Sequence, residues 1–186
     1  LAEWAKFYKE VFGLDLDFSG VKIPERKAGF GRLLVIAQGM TPQRLFDKCK
    51  ELFPCWKYTD RNLDEIVVSV RTGANGHYAV WVRDRVEADE ENKNLSANQL
   101  DERGEVGITF EERMLYELKF FNETGKHLDL RNWTLCFGSR YSDGDVPCVG
   151  YNSYVGGVRV VWCEPGSRSG DLRGRSAVPQ PAEQAA

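Results

Sequence analysis

The spacing of apolar residues along the chain predicts three long helices. The first covers residues 2–12, where aromatic side chains recur at helical spacing and Gly13 can end the helix. The second begins with Thr41 as its cap and Pro42 at its first position, and Pro54 stops it. Each presents an apolar face, so each is expected to pack against other elements of the fold.

The third helix carries the clearest signals and begins at Thr109. Glu112, three residues later, completes a capping box, and Gly125 suits the position just after the last turn. The apolar stripe of this helix consists of Phe110, Met114, Leu118 and Phe121. A shorter helix is expected around residues 96–102.

Alternating patterns and short apolar runs predict the strands. The run 33–37 is apolar on both faces, which is typical of a strand inside a sheet. Segments 65–71 and 77–83 flank Asn75-Gly76, a strong turn signal, so we expect them to form a β-hairpin. Three further strands are expected in the last third of the chain, at 133–137, 145–151 and 158–163.

The order of these elements predicts a single α+β domain over residues 1–164. In this domain two to three helices pack on a mixed, mainly antiparallel sheet. Residues 165–186 contain three prolines, three glycines and no aromatic residue, a composition that predicts a disordered tail.

Composition and charge exclude several classes of protein. The chain has 186 residues, 42% of them hydrophobic, and no apolar run approaches the roughly 20 residues that cross a bilayer. A formal net charge of −3 does not favour a protein that coats nucleic acid. Five cysteines, an odd number at scattered spacings, indicate reduced thiols and a cytoplasmic protein. Because the chain begins at Leu1, we expect a trimmed reading frame.

A run of acidic residues directly follows the strand predicted at 77–83. Its five carboxylates are those of Asp84, Glu87, Asp89, Glu90 and Glu91. Carboxylates at a strand end can hold Mg²⁺, because a hard cation prefers oxygen ligands. A solvated surface with neutralising basic neighbours is the commoner explanation of such a run, and the sequence favours it.

A second acidic motif, Ser142-Asp143-Gly144-Asp145, resembles the start of a calcium-binding loop. It lacks the downstream glutamate of that loop, and a hairpin turn explains the Asp-Gly pair better. If the two strand ends adjoin, the two motifs would form one joint site from Asp84, Glu87, Asp143 and Asp145.

Thiol and zinc chemistry find little support. Cys136 lies in an apolar strand pattern, and His127 follows the end of the third helix, so structural roles are favoured for both. His77 and His127 are the only histidines, and no Cys-x-x-Cys pair accompanies them.

Basic residues surround an aromatic one before the first strand. Arg26, Lys27 and Arg32 flank Phe30, a pattern that can track a nucleic-acid strand. Acidic neighbours such as Glu25 favour ordinary surface here as well.

Eight segments of the chain resemble known proteins. They are 78–91 (YAVWVRDRVEADEE), 107–109, 112–115, 117–119, 124–129 (TGKHLD), 134–136, 138–140 and 142–147 (SDGDVP). They are similar to a family of uncharacterised conserved proteins that we associate with uncultivated, small-genome bacteria. The resemblance covers most of residues 30–175, and a mobile gene cassette is one setting for such a protein. The family has no assigned activity, so the resemblance implies no catalytic residue and no cofactor.

Polar segments that follow apolar strands are the candidate ligand site. The six side chains concerned are Arg83, Asp84, Glu87, Arg140, Asp143 and Asp145. The leading hypothesis is a small cytoplasmic domain that binds a polar ligand or a protein partner through these mixed-charge strand ends. Neither nucleic acid nor a membrane is favoured as a partner.

Two other hypotheses remain open. The first is a Mg²⁺-dependent hydrolase or nuclease built on the joint acidic site, which requires the Asp84 and Asp143 carboxylates to lie close together. The second is a homodimer formed through the aromatic face of the first helix, with Trp4, Phe7 and Tyr8 at its surface.

Overall fold

A computed structural model describes residues 1–181 of the chain, which form an α+β fold. Within these residues five α-helices alternate with ten short strands. In chain order they are α1 (Ala2–Phe12), β1 (Arg32–Ile36), α2 (Pro42–Leu52), β2 (Cys55–Lys57), α3 (Leu63–Ile66), β3 (Val67–Ser69), β4 (Tyr78–Val82), α4 (Ala97–Glu102), α5 (Phe110–Thr124), β5 (Trp133–Leu135), β6 (Ser139–Tyr141), β7 (Val146–Asn152), β8 (Gly157–Cys163), β9 (Leu172–Gly174) and β10 (Ala177–Pro179).

The strands of the described residues form three sheets, where the sequence predicts one. The first is antiparallel and has the order β1-β4-β10. The second has the order β2-β8-β7-β5-β9, with parallel pairs at both edges and antiparallel pairs between them. The third is the antiparallel pair β3-β6. Antiparallel pairing therefore dominates, as expected, but it is divided among three small sheets.

Local signals set the ends of the long helices. The hydroxyl of Thr41 accepts a hydrogen bond from the backbone N–H of Arg44 and caps α2. Thr109 and Glu112 form a reciprocal capping box at the start of α5, with N–H···O distances of 3.2 and 2.8 Å. Gly125 ends α5 in the left-handed conformation. The predicted boundaries of both helices are confirmed.

Helix α5 lies in the centre of the fold. The sequence predicts a single buried stripe along it, yet all of residues 110–119 are buried. Three of the buried charged side chains on its other faces are paired: Glu112 with Arg71 across 2.9 Å, and Arg113 with Glu117 across 2.7 Å. Buried ion pairs, which no apolar periodicity reveals, explain the difference.

Helix α1 packs against β1 through its aromatic face. The hydroxyl of Tyr8 donates to the carbonyl of Val35 over 2.8 Å and accepts from the N–H of Ala37 over 3.0 Å. Trp4 and Phe7 are buried beside it, at 5% and 1% exposure. The hypothesis of a homodimer through this aromatic face is therefore wrong, because these side chains belong to the core.

The predicted hairpin across Asn75-Gly76 is also wrong. Segment β3 pairs with β6, and β4 pairs with β1 and β10, so the two segments lie in different sheets. The turn signal is local, whereas the pairing follows from contacts between residues far apart in the chain: the hydroxyls of Ser69 and Ser139 lie 2.7 Å apart.

The disordered tail predicted for residues 165–186 needs correction as far as the described residues reach. Strand β9 pairs with β5, and β10 pairs with β4, so the domain extends beyond residue 164. The segment is ordered because single side chains such as Leu172, Arg175 and Val178 are buried, although its composition as a whole is poor in apolar residues. Residues 182–186 lie outside the described part.

No helix among residues 1–181 is long and apolar enough to cross a membrane. All five cysteines are free thiols, as the sequence predicts.

Candidate functional site

A cavity of about 440 Å³ lies where the chain leaves β4. Asp84 and Arg85, which follow the strand, form one wall, and a turn preceding β1 forms the other. The complete lining is Arg26, Lys27, Ala28, Gly29, Phe30, Gly31, Asp84 and Arg85. One of the two predicted strand ends therefore adjoins a cavity.

The turn before β1 is fixed onto the sheet beneath it. The N–H of Phe30 donates to the carbonyl of Lys27 over 3.1 Å, and Gly29 between them has a φ of 84°. The indole N–H of Trp81, on β4, donates to the carbonyl of Pro24 over 2.8 Å. Two ends of the basic segment are thus held in place while its side chains extend towards solvent.

Arg83, a predicted ligand-binding residue, is committed to the protein itself. Its guanidinium lies 4.4 Å from the centre of the Phe30 ring and forms an ion pair with the buried carboxylate of Asp89. Burial raises the pKa of Asp89, while Arg83 and the N–H of Ser176 oppose that rise. Arg83 therefore packs against Phe30 in the cavity wall and does not itself line the cavity.

Asp84 lines the cavity and is oriented by the central helix. The hydroxyl of Tyr116, on α5, donates towards its Oδ1 over 3.3 Å and lies 3.4 Å from the carbonyl oxygen of Arg85. The guanidinium of Arg85 makes a two-pronged contact with Glu91, at 2.6 and 2.9 Å, which lowers the pKa of Glu91 to about 2. Asp84 and Arg85 therefore have defined orientations at the cavity wall.

Two basic side chains at the cavity remain without counter-ions. Arg26 and Lys27 are both exposed, and within residues 1–181 neither forms an ion pair. Arg26 lies over the ring of Trp81, 5.8 Å from its centre. The sequence identifies both residues as basic neighbours of Phe30 but assigns them to ordinary surface; the facing cavity is a tertiary feature that the pattern cannot reveal.

Glu87 holds a neighbouring loop. Its carboxylate accepts hydrogen bonds from the backbone N–H groups of Arg131 and Asn132 and, over 2.8 Å, from the side-chain amide of Asn132. It also lines a second cavity, of about 510 Å³, together with Arg85, Arg131 and Arg173. Glu87 thus lies next to the β4 end, but its oxygens are occupied by the protein.

The other three predicted site residues lie in a different part of the fold. Arg140, on β6, pairs with Asp101 over 2.7 Å and donates to two nearby carbonyls. Asp143 accepts from the N–H of Asp145 in the turn before β7. No hydrogen bond, ion pair or cavity within the described residues joins this group to Asp84, so the two strand ends do not form one site.

The carboxylates of the proposed magnesium site are likewise not assembled. In the part of the chain that the structure describes, no three or more His, Cys, Asp or Glu side chains are grouped so that they could hold a metal ion. Glu87 is bound to backbone amides, and Asp143 to its own turn. The hydrolase hypothesis therefore has no preformed ligand set in residues 1–181.

A buried ionic network contacts the segment after β4, because Arg175 donates to the carbonyls of Arg85 and Val86. Asp129 accepts hydrogen bonds from Arg113 on one oxygen and from Arg175 on the other. Arg113 continues the network to Glu117, and Glu117 lies 2.9 Å from Nδ1 of His127. The sequence gives no signal for Arg175, since it belongs to the segment expected to be disordered.

His127 and Cys136 have the structural roles that the sequence favours. The His127 ring stacks between those of Phe121 and Tyr151, with ring centres 5.1 and 4.6 Å away. Cys136 is fully buried, and burial raises the pKa of its thiol far above the ordinary value. A thiolate nucleophile is not available there.

Comparison with known proteins gives no relative: no family model, no curated protein and no solved structure matches the chain. The functional argument consequently depends on the geometry of the chain itself.

Proposed function

We propose that the protein is a binding domain for a small anionic ligand, which it holds in the cavity between Asp84 and the Arg26-Lys27 turn. The observation that supports this is a pair of cations without counter-ions facing a cavity at a strand end. Exposed lysines and arginines are common, but here a fixed turn and a strand end place them around one concave surface.

The charges of the lining favour an anion over a cation. Arg26, Lys27 and Arg85 carry three positive charges there, and Asp84 carries the one negative charge. Because Arg85 is already paired with Glu91, the two turn residues supply most of the available attraction. Asp84 can accept a hydrogen bond from a hydroxyl or amide of the same ligand. Phosphates and carboxylates that carry such a group fit this arrangement.

An apolar cleft continues from the cavity. It has a volume of about 730 Å³, shares Arg26, Lys27 and Ala28 with the cavity, and is lined on its far side by Val106 and β10. A ligand with an anionic group and an apolar body would therefore find a surface for each part. We infer that the natural ligand has both, and that the anionic group lies at the β4 end.

The family resemblance and the location of the protein belong to the same proposal. Five free cysteines are typical of the reducing cytoplasm. We infer a cytoplasmic bacterial protein, in keeping with the resemblance carried by segments such as 78–91.

A titration with phenyl phosphate and with inorganic phosphate, at low ionic strength, tests the proposal. We expect phenyl phosphate to bind more tightly and to shift the backbone amide resonances of residues 26–31 and 84–85. Lys27→Ala and Arg26→Ala should each weaken binding about tenfold, the usual effect of removing one charged hydrogen-bond donor. Lys126→Ala, which removes an exposed lysine outside this cavity, should leave it unchanged.

Two results would contradict the proposal. If Lys126→Ala weakens binding as much as Lys27→Ala, the phosphate responds to overall charge and not to the cavity. If MgCl₂ alone perturbs Asp84, and Asp84→Asn removes that effect, the metal-dependent hydrolase replaces the anion-binding domain as the better hypothesis.

A further inference from the structure

A further cavity, of about 320 Å³, lies at the start of α5. Its walls include the start of α2 and strand β3, and it shares no residue with the anion cavity. Met40, Pro42 and Val67 supply apolar surface, and Asp64, Ser69 and Glu111 supply polar groups. This mixture of an apolar wall and a few converging polar groups is typical of a small-molecule site.

Glu111 is a buried carboxyl group without a cationic partner. It is only 3% exposed, and within residues 1–181 no basic side chain lies within ion-pair distance of it. The adjacent Glu112, in contrast, is paired with Arg71 across 2.9 Å. Buried carboxylates are normally paired, because an isolated charge loses its hydration. The cavity is the place from which a cation could reach Glu111.

A chain of hydrogen bonds orients this carboxyl group. The backbone N–H of Phe110 donates to the hydroxyl of Ser139 over 2.8 Å, the hydroxyls of Ser139 and Ser69 lie 2.7 Å apart, and Ser69 donates to Oε2 of Glu111 over 2.6 Å. Because Ser69 gives its only hydroxyl proton to Glu111, the hydroxyl of Ser139 donates to Ser69 while it accepts from Phe110. The chain therefore ends on the carboxylate as its acceptor.

The lining determines the charge of the occupant. Two carboxyl groups, Asp64 and Glu111, border the cavity, and it contains no lysine, arginine or histidine. We infer that this cavity binds a small organic cation, an ammonium ion with a short apolar group, whose counter-ion is the Glu111 carboxylate. The site is independent of the proposed anion-binding function.

The protonation of Glu111 gives the site a pH dependence. Burial raises the pKa of Glu111 to about 7. The other charged or titratable groups near it are Asp64, Glu112, Arg71, Tyr78 and Cys136. Glu112 and Arg71 are paired, and burial keeps Tyr78 and Cys136 protonated. Glu111 is thus the group expected to change its charge between pH 6 and 8 and so to govern cation binding.

The test uses isobutylammonium, which stays charged over this range, and isobutanol as its neutral counterpart. Binding is followed by amide shifts of the full chain at pH 6 and pH 8. We expect the ammonium ion to shift residues 67–69 and 111, to bind about tenfold more tightly at pH 8, and to exceed isobutanol clearly. The Glu111→Gln variant should no longer bind isobutylammonium more tightly than isobutanol at either pH. The Glu65→Gln variant, which removes an exposed carboxylate on α3, should still do so.

Equal binding of isobutanol and isobutylammonium, or an affinity that does not change with pH in the unaltered protein, would overturn the inference. Neither the comparison of the two compounds nor the comparison of the two pH values needs a variant. The inference can therefore be tested even if Glu111→Gln fails to fold.

Discussion

The guanidinium of Arg175, between β9 and β10, donates from Nη2 to Oδ1 of Asp129 over 2.8 Å. Nη2 also donates to the carbonyl of Val86, Nη1 donates to the carbonyl of Arg85, and Nε donates to the hydroxyl of Thr134. The side chain is 1% exposed, so one arginine near the end of the chain attaches the last two strands to the core and to the segment that forms the anion cavity.

Arg175→Ala should destabilise the protein strongly. We expect the free energy of unfolding to fall by about 3–5 kcal/mol, because the change leaves buried acceptors and half of the Asp129 carboxylate without a partner. Urea denaturation measures the effect. Arg168→Ala removes an exposed arginine from the same segment and should change stability by less than about 0.5 kcal/mol. A similar loss of unfolding free energy in the two variants would show that Arg175 does not anchor β9 and β10.

The sequence predicts those elements whose signals are local. Thr109 with Glu112 and Thr41 with Pro42 specify helix starts within four residues, and both helices form where expected. The pairing of β3 with β6 joins segments about 70 residues apart, and the local turn signal at Asn75-Gly76 gives the wrong partner. Pairing over such distances depends on the packing of the whole chain.

The candidate site shows the same division. A polar residue after an apolar strand correctly directs attention to Asp84, because strand ends lie at the edges of a sheet. Which other strand end lies beside it depends on the order of the sheets, and for this reason the sequence wrongly groups Arg140, Asp143 and Asp145 with Asp84. The averaged composition of residues 165–186 likewise hides the single buried side chain of Arg175.

The close approach of Gly107 to Gly138 gives a second stability prediction. A Cβ atom at position 107 would lie 2.6 Å from both the backbone N of Gly138 and the ring of Phe137. We expect Gly107→Ala to cost about 3 kcal/mol, the upper part of the range for overpacking, because backbone must move. Gly20→Ala adds a methyl group with nothing within 4 Å and serves as the control in the same thermal denaturation. An unchanged melting temperature for Gly107→Ala would contradict this packing.

The raised pKa of Glu111 predicts how stability depends on pH. The pKa is about 7 in the folded protein and 4.5 in an unperturbed chain, so the folded state binds the extra proton between these values. The contribution of Glu111 to stability therefore falls as the pH rises from 4.5 to 7. Relative to the unaltered protein, Glu111→Gln should gain up to about 3 kcal/mol over this window. Urea denaturation of both proteins across the window, without amine, measures this gain; parallel curves would contradict it.

The turn that forms the anion cavity provides the last prediction. Gly29 has a φ of 84°, a conformation that is unfavourable for residues with a Cβ atom, whereas Gly20, outside the cavity, has no such constraint and nothing within 4 Å of an added Cβ. Gly29→Ala should cost about 1–2 kcal/mol locally, displace Lys27, and weaken the binding of phenyl phosphate. Gly20→Ala should bind phenyl phosphate as well as the unaltered protein. If calorimetry finds the two variants equally affected, the conformation of the turn does not position the cations.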